Sequence, residues 1–331
     1  MRKPRIMGLV LACALLGACG DPSGGDGKPA GPTVTHRGAA LPSPSGAAPA
    51  SGAAPDRAAA PAKAPVVLYL GDSLAMENQE VLGRELRDAV GARYRAVPYS
   101  GTTLCDYLEG TAARSLVPAR DKAAALVRAL RPDYVVLQFW GNAWGYTPCM
   151  DGVAHDRAKD AYVTRYAADA ERLTRQIADA GRAGGAGGAG RPRVVWVLQG
   201  PDPVTPDRVR RVNAVYERQA GASGDLVADA GAAVSPASAR YTWAQYLPCT
   251  EYEREHPEYC TGPGPGRAAL HRDDDHLHFC LAPMPSAPRP CPVRSPGTLR
   301  MARAIAQAVA DDVTRRSPAP PTAPSPASST P

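Results

Sequence analysis

The chain is short of bulky aromatic residues. It has 2 Phe in 331 residues, and Phe, Trp and Tyr together make up 6%. Hydrophobic residues still reach 44%, so an Ala-rich, Phe-poor core is within reach of the composition. No C-x-x-C knuckle occurs, which argues against a structural zinc site. No basic stripe and no basic patch interleaved with aromatics is present, so the chain lacks the footprint of a nucleic-acid binder. The N-terminal apolar run, Ile6 to Ala18, falls short of the roughly 20 residues that span a bilayer.

What the chain has in excess is Pro (35) and Gly (32), with a formal charge of +6. Both are unevenly spread. Arg2, Lys3 and Arg5 carry half of the net charge, and residues 66–316 are close to neutral at +2. Ten prolines fall in residues 1–65 and six in residues 317–331. Those flanks are Ala, Gly, Pro and Ser with almost no large apolar side chain, so burial cannot offset the entropy of ordering them. The expected organisation is a leader at 1–18, a flexible linker at 19–65, one folded domain at 66–316 and a flexible tail at 317–331. A domain of that size buries roughly 70–75% of its unfolded surface, enough for a full core.

The leader has a basic start, a short apolar stretch and the ending Leu16-Gly17-Ala18-Cys19. It resembles the bacterial lipoprotein signal, in which the peptide is cut before Cys and that thiol is acylated. The resemblance implies export, lipidation at Cys19 and a domain held on the outer face of the cell membrane. An ordinary signal peptide with an incidental Cys is the alternative. Beyond Cys13 and Cys19 six cysteines remain: Cys105, Cys149, Cys249, Cys260, Cys280 and Cys291. An even number in an exported chain points to disulfides, and six allow 15 pairings. The favoured set closes two short Pro-rich loops, Cys249 with Cys260 and Cys280 with Cys291, leaving Cys105 with Cys149.

From Val66 onward, short β-type runs alternate with helical patterns. Strands are expected at Val66 to Leu70, Tyr94 to Pro98, Tyr134 to Phe139, Arg193 to Leu198 and Asp225 to Asp229. Helices are expected at about Asn78 to Val90, Pro118 to Leu130, Asp156 to Ala180, Pro206 to Ala220 and Ser295 to Thr314. Such alternation makes an α/β fold with a parallel sheet of about five strands covered on both faces. Residues 235–272 break the rhythm with loops, four tyrosines and Trp243. In a sheet of this kind ligands bind beyond the carboxyl ends of the strands.

The ends of the first three strands, and a segment just before the last helix, carry suggestive residues. Gly71-Asp72-Ser73-Leu74 places a hydroxyl at the start of a helix, where the field favours a developing alkoxide. Ser100-Gly101-Thr102-Thr103 is a turn whose Gly lets a backbone N–H meet a ligand. Gly141-Asn142 offers an amide donor. Asp275-His276-Leu277-His278 puts a carboxylate three residues before an imidazole, a spacing that lets it hold Nδ1–H while Nε2 takes a proton.

These four blocks, in this order over Val66 to Arg316, resemble the GDSL/SGNH hydrolase family. The resemblance implies a three-layer α/β/α, flavodoxin-like fold and esterase chemistry without metal or cofactor. It assigns Ser73 as nucleophile, Gly101 and Asn142 as oxyanion donors, His278 as base and Asp275 as its orienter. The third block departs from the family's G-x-N-D, with Trp140 at the Gly position and Ala143 at the Asp position, which suggests a reshaped pocket wall. No G-x-S-x-G elbow surrounds Ser73, unlike the α/β-hydrolases.

Alternatives remain open. Ser73 alone reads as a helix N-cap, and Asp273 with His276 has the same spacing as Asp275 with His278. Residues 273–276 with His278 form a weak candidate cation cluster. His36, His155, His256 and His271 read as surface or loop residues. Trp140, Trp144 and Tyr146 are candidates for a pocket wall or for loop core. The expected partner is an ester substrate, in particular an acylated envelope glycan or lipid, with membrane contact through Cys19, no nucleic acid and a monomeric state. Rival functions are an acyltransferase acting on envelope sugars and a non-catalytic glycan-binding lipoprotein.

Overall fold

The computed structural model describes residues 63–142, 147–183, 190–283 and 290–317. The leader, Cys19, most of the linker, Ala143, Trp144, Tyr146 and the tail from residue 318 lie outside the described residues. The fold is an α/β domain with a five-stranded parallel sheet in the order β2-β1-β3-β4-β5. Its strands are β1 (Val66–Gly71), β2 (Arg93–Ala96), β3 (Tyr134–Gln138), β4 (Arg193–Val197) and β5 (Leu226–Ala228). The inner strands are apolar along their length because both faces are covered. Leu68, Leu70, Val135, Leu137 and Trp196 join one core cluster, while Val67, Tyr69, Val136, Val195 and Val197 join the other.

The helices sort onto these two faces to give three layers. α1 (Ser73–Val90) packs with α7 (Pro296–Arg316) on one side, while α2 (Ala123–Leu130), α3 (Lys159–Arg182) and α4 (Pro206–Ser223) form the other layer. After the short helix α5 (Ala230–Ala233), the short helix α6 (Glu251–Glu255) and the antiparallel pair β6 (Tyr246–Pro248) and β7 (Arg267–Ala269) lie within the stretch expected to be loops. Helix α1 begins at Ser73, five residues before the sequence pattern suggested, because Asp72 caps it. Helix α2 begins later, at Ala123, after a short 3₁₀ turn over Ala119–Asp121.

The strand order places the topological switch between β1 and β3, since the chain runs to β2 on one side and to β4 on the other. Crevices at such points collect functional residues in open parallel sheets. Three disulfides join Cys105 to Cys149, Cys249 to Cys260 and Cys280 to Cys291. Among the described residues no helix is long and apolar enough to cross a membrane.

Candidate active site

The site begins where β1 and β3 come too close for a side chain. A Cβ on Gly71 would stand 2.1 Å from the Gln138 carbonyl oxygen, so Gly is required there. Asp72 follows and caps α1, its Oδ1 accepting from the Leu74 N–H at 3.0 Å. Ser73 is therefore not the cap but the first helical residue. Its own N–H belongs to the group that a helix start leaves without an intrahelical acceptor. The other Asp72 oxygen accepts from the Trp140 N–H at 2.7 Å and from Asn142 Nδ2 at 3.3 Å. One buried carboxylate thus joins the end of β1 to the end of β3. Burial raises its pKa to about 6, against the hydrogen bonds from Trp140 and Leu74 that oppose the shift.

His278 Nε2 stands 3.0 Å from Ser73 Oγ, and its Nδ1 stands 2.9 Å from Asp275 Oδ2. An ionised carboxylate only accepts, so Nδ1 carries the proton and Nε2 is the basic nitrogen facing the hydroxyl. Asp275 Oδ1 also accepts from the backbone N–H of Leu277 and of His278, at 3.1 and 3.0 Å. Burial on its own would raise the Asp275 pKa, but these hydrogen bonds and the His278 charge hold it well below the usual carboxylate range. Burial likewise disfavours the His278 imidazolium, yet the Asp275 hydrogen bond and the charges of Glu77, Asp275 and Asp72 leave its pKa raised. The other spacing does not form a dyad: Asp273 accepts from Gln245 Nε2, and the His276 carbonyl accepts from Trp243 Nε1.

Gly101 has φ +74°, a conformation that favours Gly. Thr102 pins this turn beside the end of β1 by donating from Oγ1 to the Tyr99 and Gly71 carbonyls, at 2.7 and 3.3 Å. The Asn142 amide donates to the Thr102 carbonyl at 3.1 Å as well as to Asp72. The same side chain therefore ties the second and third blocks together. The Cys105–Cys149 bond links the segments that follow Gly101 and Asn142.

Trp140 is nearly buried and forms one wall of a cavity of about 260 Å³ that reaches His276 and Leu277, the two residues before His278. Ala154, His155, Arg208, His276 and Leu277 contribute to the same cavity. The Arg208 guanidinium lies 3.5 Å over the Trp140 ring and donates to the Trp140 and Gly141 carbonyls and to Asp202. These contacts fix the β3 exit from the α4 side.

Two of the histidines read as surface or loop residues lie in loops but are buried. His155 packs edge-on against Tyr162. His271 lies between Trp243 and Phe279 and, since a carbonyl only accepts, its Nδ1–H donates to the His278 carbonyl at 3.0 Å. Burial lowers the His271 pKa to about 4, so it stays neutral in that role. Asp72, Glu77, His271 and Arg208 all support the constellation and were not singled out from sequence. One signal for Glu77 was available: an acid four residues after Ser73, on the apolar face of α1 that also carries Leu74 and Val81.

The fold and site together define a three-layer α/β/α domain with a Ser–His–Asp array at its switch point. No family model and no curated protein matches the chain. Among solved structures it is similar to an acetylxylan esterase from Geobacillus stearothermophilus, at 15% identity over 74% of this chain and 94% of that one, with a TM-score of 0.43. An α/β hydrolase enzyme from the metagenome of Lake Arreo, Spain, has 17% identity, the same coverages and a TM-score of 0.42. A lipase/acylhydrolase from Enterococcus faecalis has 13% identity over 51% of this chain and 78% of that one, with a TM-score of 0.34.

Proposed function

We propose that the chain is a GDSL/SGNH-type serine hydrolase that cleaves carboxylic esters, exported and held outside the cell membrane through a lipidated Cys19. The observation that carries the hydrolase reading is the unbroken line Ser73 Oγ, His278 Nε2, His278 Nδ1, Asp275 Oδ2, with contacts of 3.0 and 2.9 Å. In this reading His278 takes the Ser73 proton as the hydroxyl attacks the ester carbonyl. The tetrahedral oxyanion is met by the N–H groups of Ser73 and Gly101 and by the Asn142 amide. The proton on Nε2 passes to the departing alcohol, leaving an acyl group on Ser73. Water, deprotonated by the same nitrogen, releases the acid and restores the hydroxyl. The depressed pKa of Asp275 keeps it ionised throughout, so it orients and steadies the imidazolium without taking the proton.

Export is supported by the leader sequence and by three disulfides, which persist in oxidising compartments. A fluorophosphonate probe tests the chemistry directly. Labelling of the natural protein that disappears in Ser73→Ala is the expected result, and equal labelling of both would remove the proposal. An acyl-chain and acceptor panel on the labelled enzyme then separates release to water from transfer to a sugar hydroxyl. Metabolic labelling with a fatty-acid analogue, lost in Cys19→Ser, tests the anchor.

A further inference from the structure

Glu77 lies one helical turn beyond Ser73 on α1 and is fully enclosed, with 2% of its surface exposed. Its carboxylate accepts two backbone N–H groups, Phe279 to Oε1 at 2.9 Å and Cys280 to Oε2 at 3.1 Å. These are the two residues that follow His278. The Glu77 backbone carbonyl accepts a third N–H, from Cys291 at 3.1 Å, and Cys291 is the disulfide partner of Cys280. A single residue thus holds both ends of the disulfide-closed segment to the helix that carries Ser73. A buried acid is expensive unless its lone pairs are filled. Here they are filled by the backbone leading away from His278.

We propose that Glu77 is a positioning residue that fixes His278 against Ser73 and supplies a second negative charge behind the imidazolium. The role rests on the hydrolase reading and deepens it. Two effects follow. The two hydrogen bonds set the distance and angle of the imidazole to the hydroxyl, which governs how often the pair is competent for proton transfer. Burial raises the Glu77 pKa to about 7, so its charge adds to that of Asp275 in favouring the protonated ring only where the carboxyl has ionised. The other groups that face His278 are Asp275 on its own loop, Asp72 before α1 and His271 through the backbone carbonyl, while Arg272 lies 4.0 Å from Asp275 Oδ2. None of these contacts is made by the Glu77 side chain.

The test uses the purified full-length protein and compares the natural chain with Glu77→Gln, Glu77→Asp and Ser73→Ala. A water-soluble activated ester is the substrate, and the active fraction is counted by fluorophosphonate labelling. In Glu77→Gln one acceptor becomes a donor facing a backbone N–H, and the charge is lost. Its kcat per labelled site should fall about 10- to 100-fold with KM within about threefold. The acid limb of its kcat/KM profile should move to lower pH, because the His278 ring loses a neighbouring group that ionises in the same range. Glu77→Asp keeps the charge on a shorter stem, so it should lose kcat while its acid limb stays in place. It also provides the second reading should the Gln variant fold poorly. Variants that differ from the natural chain only in thermal stability, with kcat per site and acid limb unchanged, would overturn the role of Glu77. Full activity in Ser73→Ala would instead sink the hydrolase reading beneath it.

Discussion

The two halves of the site are held in different ways. The nucleophile half is fixed by regular structure: Gly71 ends a central strand, Asp72 caps α1, and Ser73 opens that helix. The base half lies in a stretch without regular secondary structure, residues 270–283, and is fixed by side chains and a covalent link. Asp275, His271 and Glu77 each bind backbone near His278, and Cys280 is bonded to Cys291. A helix start is enforced by dozens of cooperative contacts, whereas a loop held by a few buried polar bonds responds to the loss of any one. The base half should therefore be the part of the site that pH, reduction and single substitutions reach first.

Removing the reacting groups gives the largest expected effect. Ser73→Ala should lower kcat by about 10⁴-fold or more, leaving only what binding and the oxyanion donors supply. Asp275→Asn should follow closely, at roughly 10³- to 10⁴-fold, because the amide presents the wrong partner to Nδ1. Circular dichroism of Asp275→Asn should match the natural protein, which separates a lost orienter from a lost fold. Next comes Asn142→Ala, for which a drop of about 10²–10³ in kcat with little change in KM is expected of a lost oxyanion donor. A drop below about tenfold would assign Asn142 solely to tying Asp72 to Thr102.

The disulfides offer a sharper contrast. Cys249–Cys260 and Cys280–Cys291 close loops of the same sequence separation, 11 residues, so a chain-entropy account gives each about 2–3 kcal/mol of stability. Only the second adjoins His278. Replacing either pair by Ser should lower the melting temperature by a similar amount, while the Cys280/Cys291 variant alone should lose severalfold in kcat, read on folded protein at 25 °C.

Activity and stability should part company with pH, the smallest effect of the set. Asp72 and Glu77 have folded-state pKa values raised by burial, to about 6 and about 7. Each contributes stability that is fully present below its unfolded value and is lost as pH rises through the folded one. Asp275 has the opposite sign, its contribution disappearing only in strong acid as pH falls through its depressed value. Between about pH 8 and pH 5 the melting temperature should hold or rise while kcat/KM falls with protonation of His278. A melting temperature that falls in step with activity would place the acid sensitivity in the whole fold instead of in the base half.

The same division explains what the sequence made legible. The apolar runs of β1, β3 and β4 announce a buried parallel sheet, and Ser73, Gly101 and Asn142 follow their strands or turns at once. The second half is harder to read because its logic spans the chain. Glu77 finds Phe279 and Cys280 more than 200 residues away, and no local pattern marks such a pairing. His271 looks like a surface residue until Trp243 and Phe279 are folded around it. At α1 the apolar pattern is legible from about Asn78, and the Gly71-Asp72-Ser73 block marks a helix start, but which residue caps it is decided by the structure, in which Asp72 caps a helix that already includes Ser73. Trp140 was noticed as a departure from the family pattern, but its stacking under Arg208 depends on α4 lying across the end of β3.

The separation between Ser73 and His278, 205 positions, carries a further meaning for how the protein comes into being. Ser73 is synthesised well before His278. The Leu281 N–H is received by Ser295 Oγ at the start of α7, and α7 in turn packs along α1. Ser73 thus faces His278 only after a segment 205 positions further along the chain has come back to α1. If the chain is the hydrolase proposed above, a product interrupted before His278 would carry Ser73 with no base facing it, so ester cleavage would begin only once the His278 segment has folded against α1.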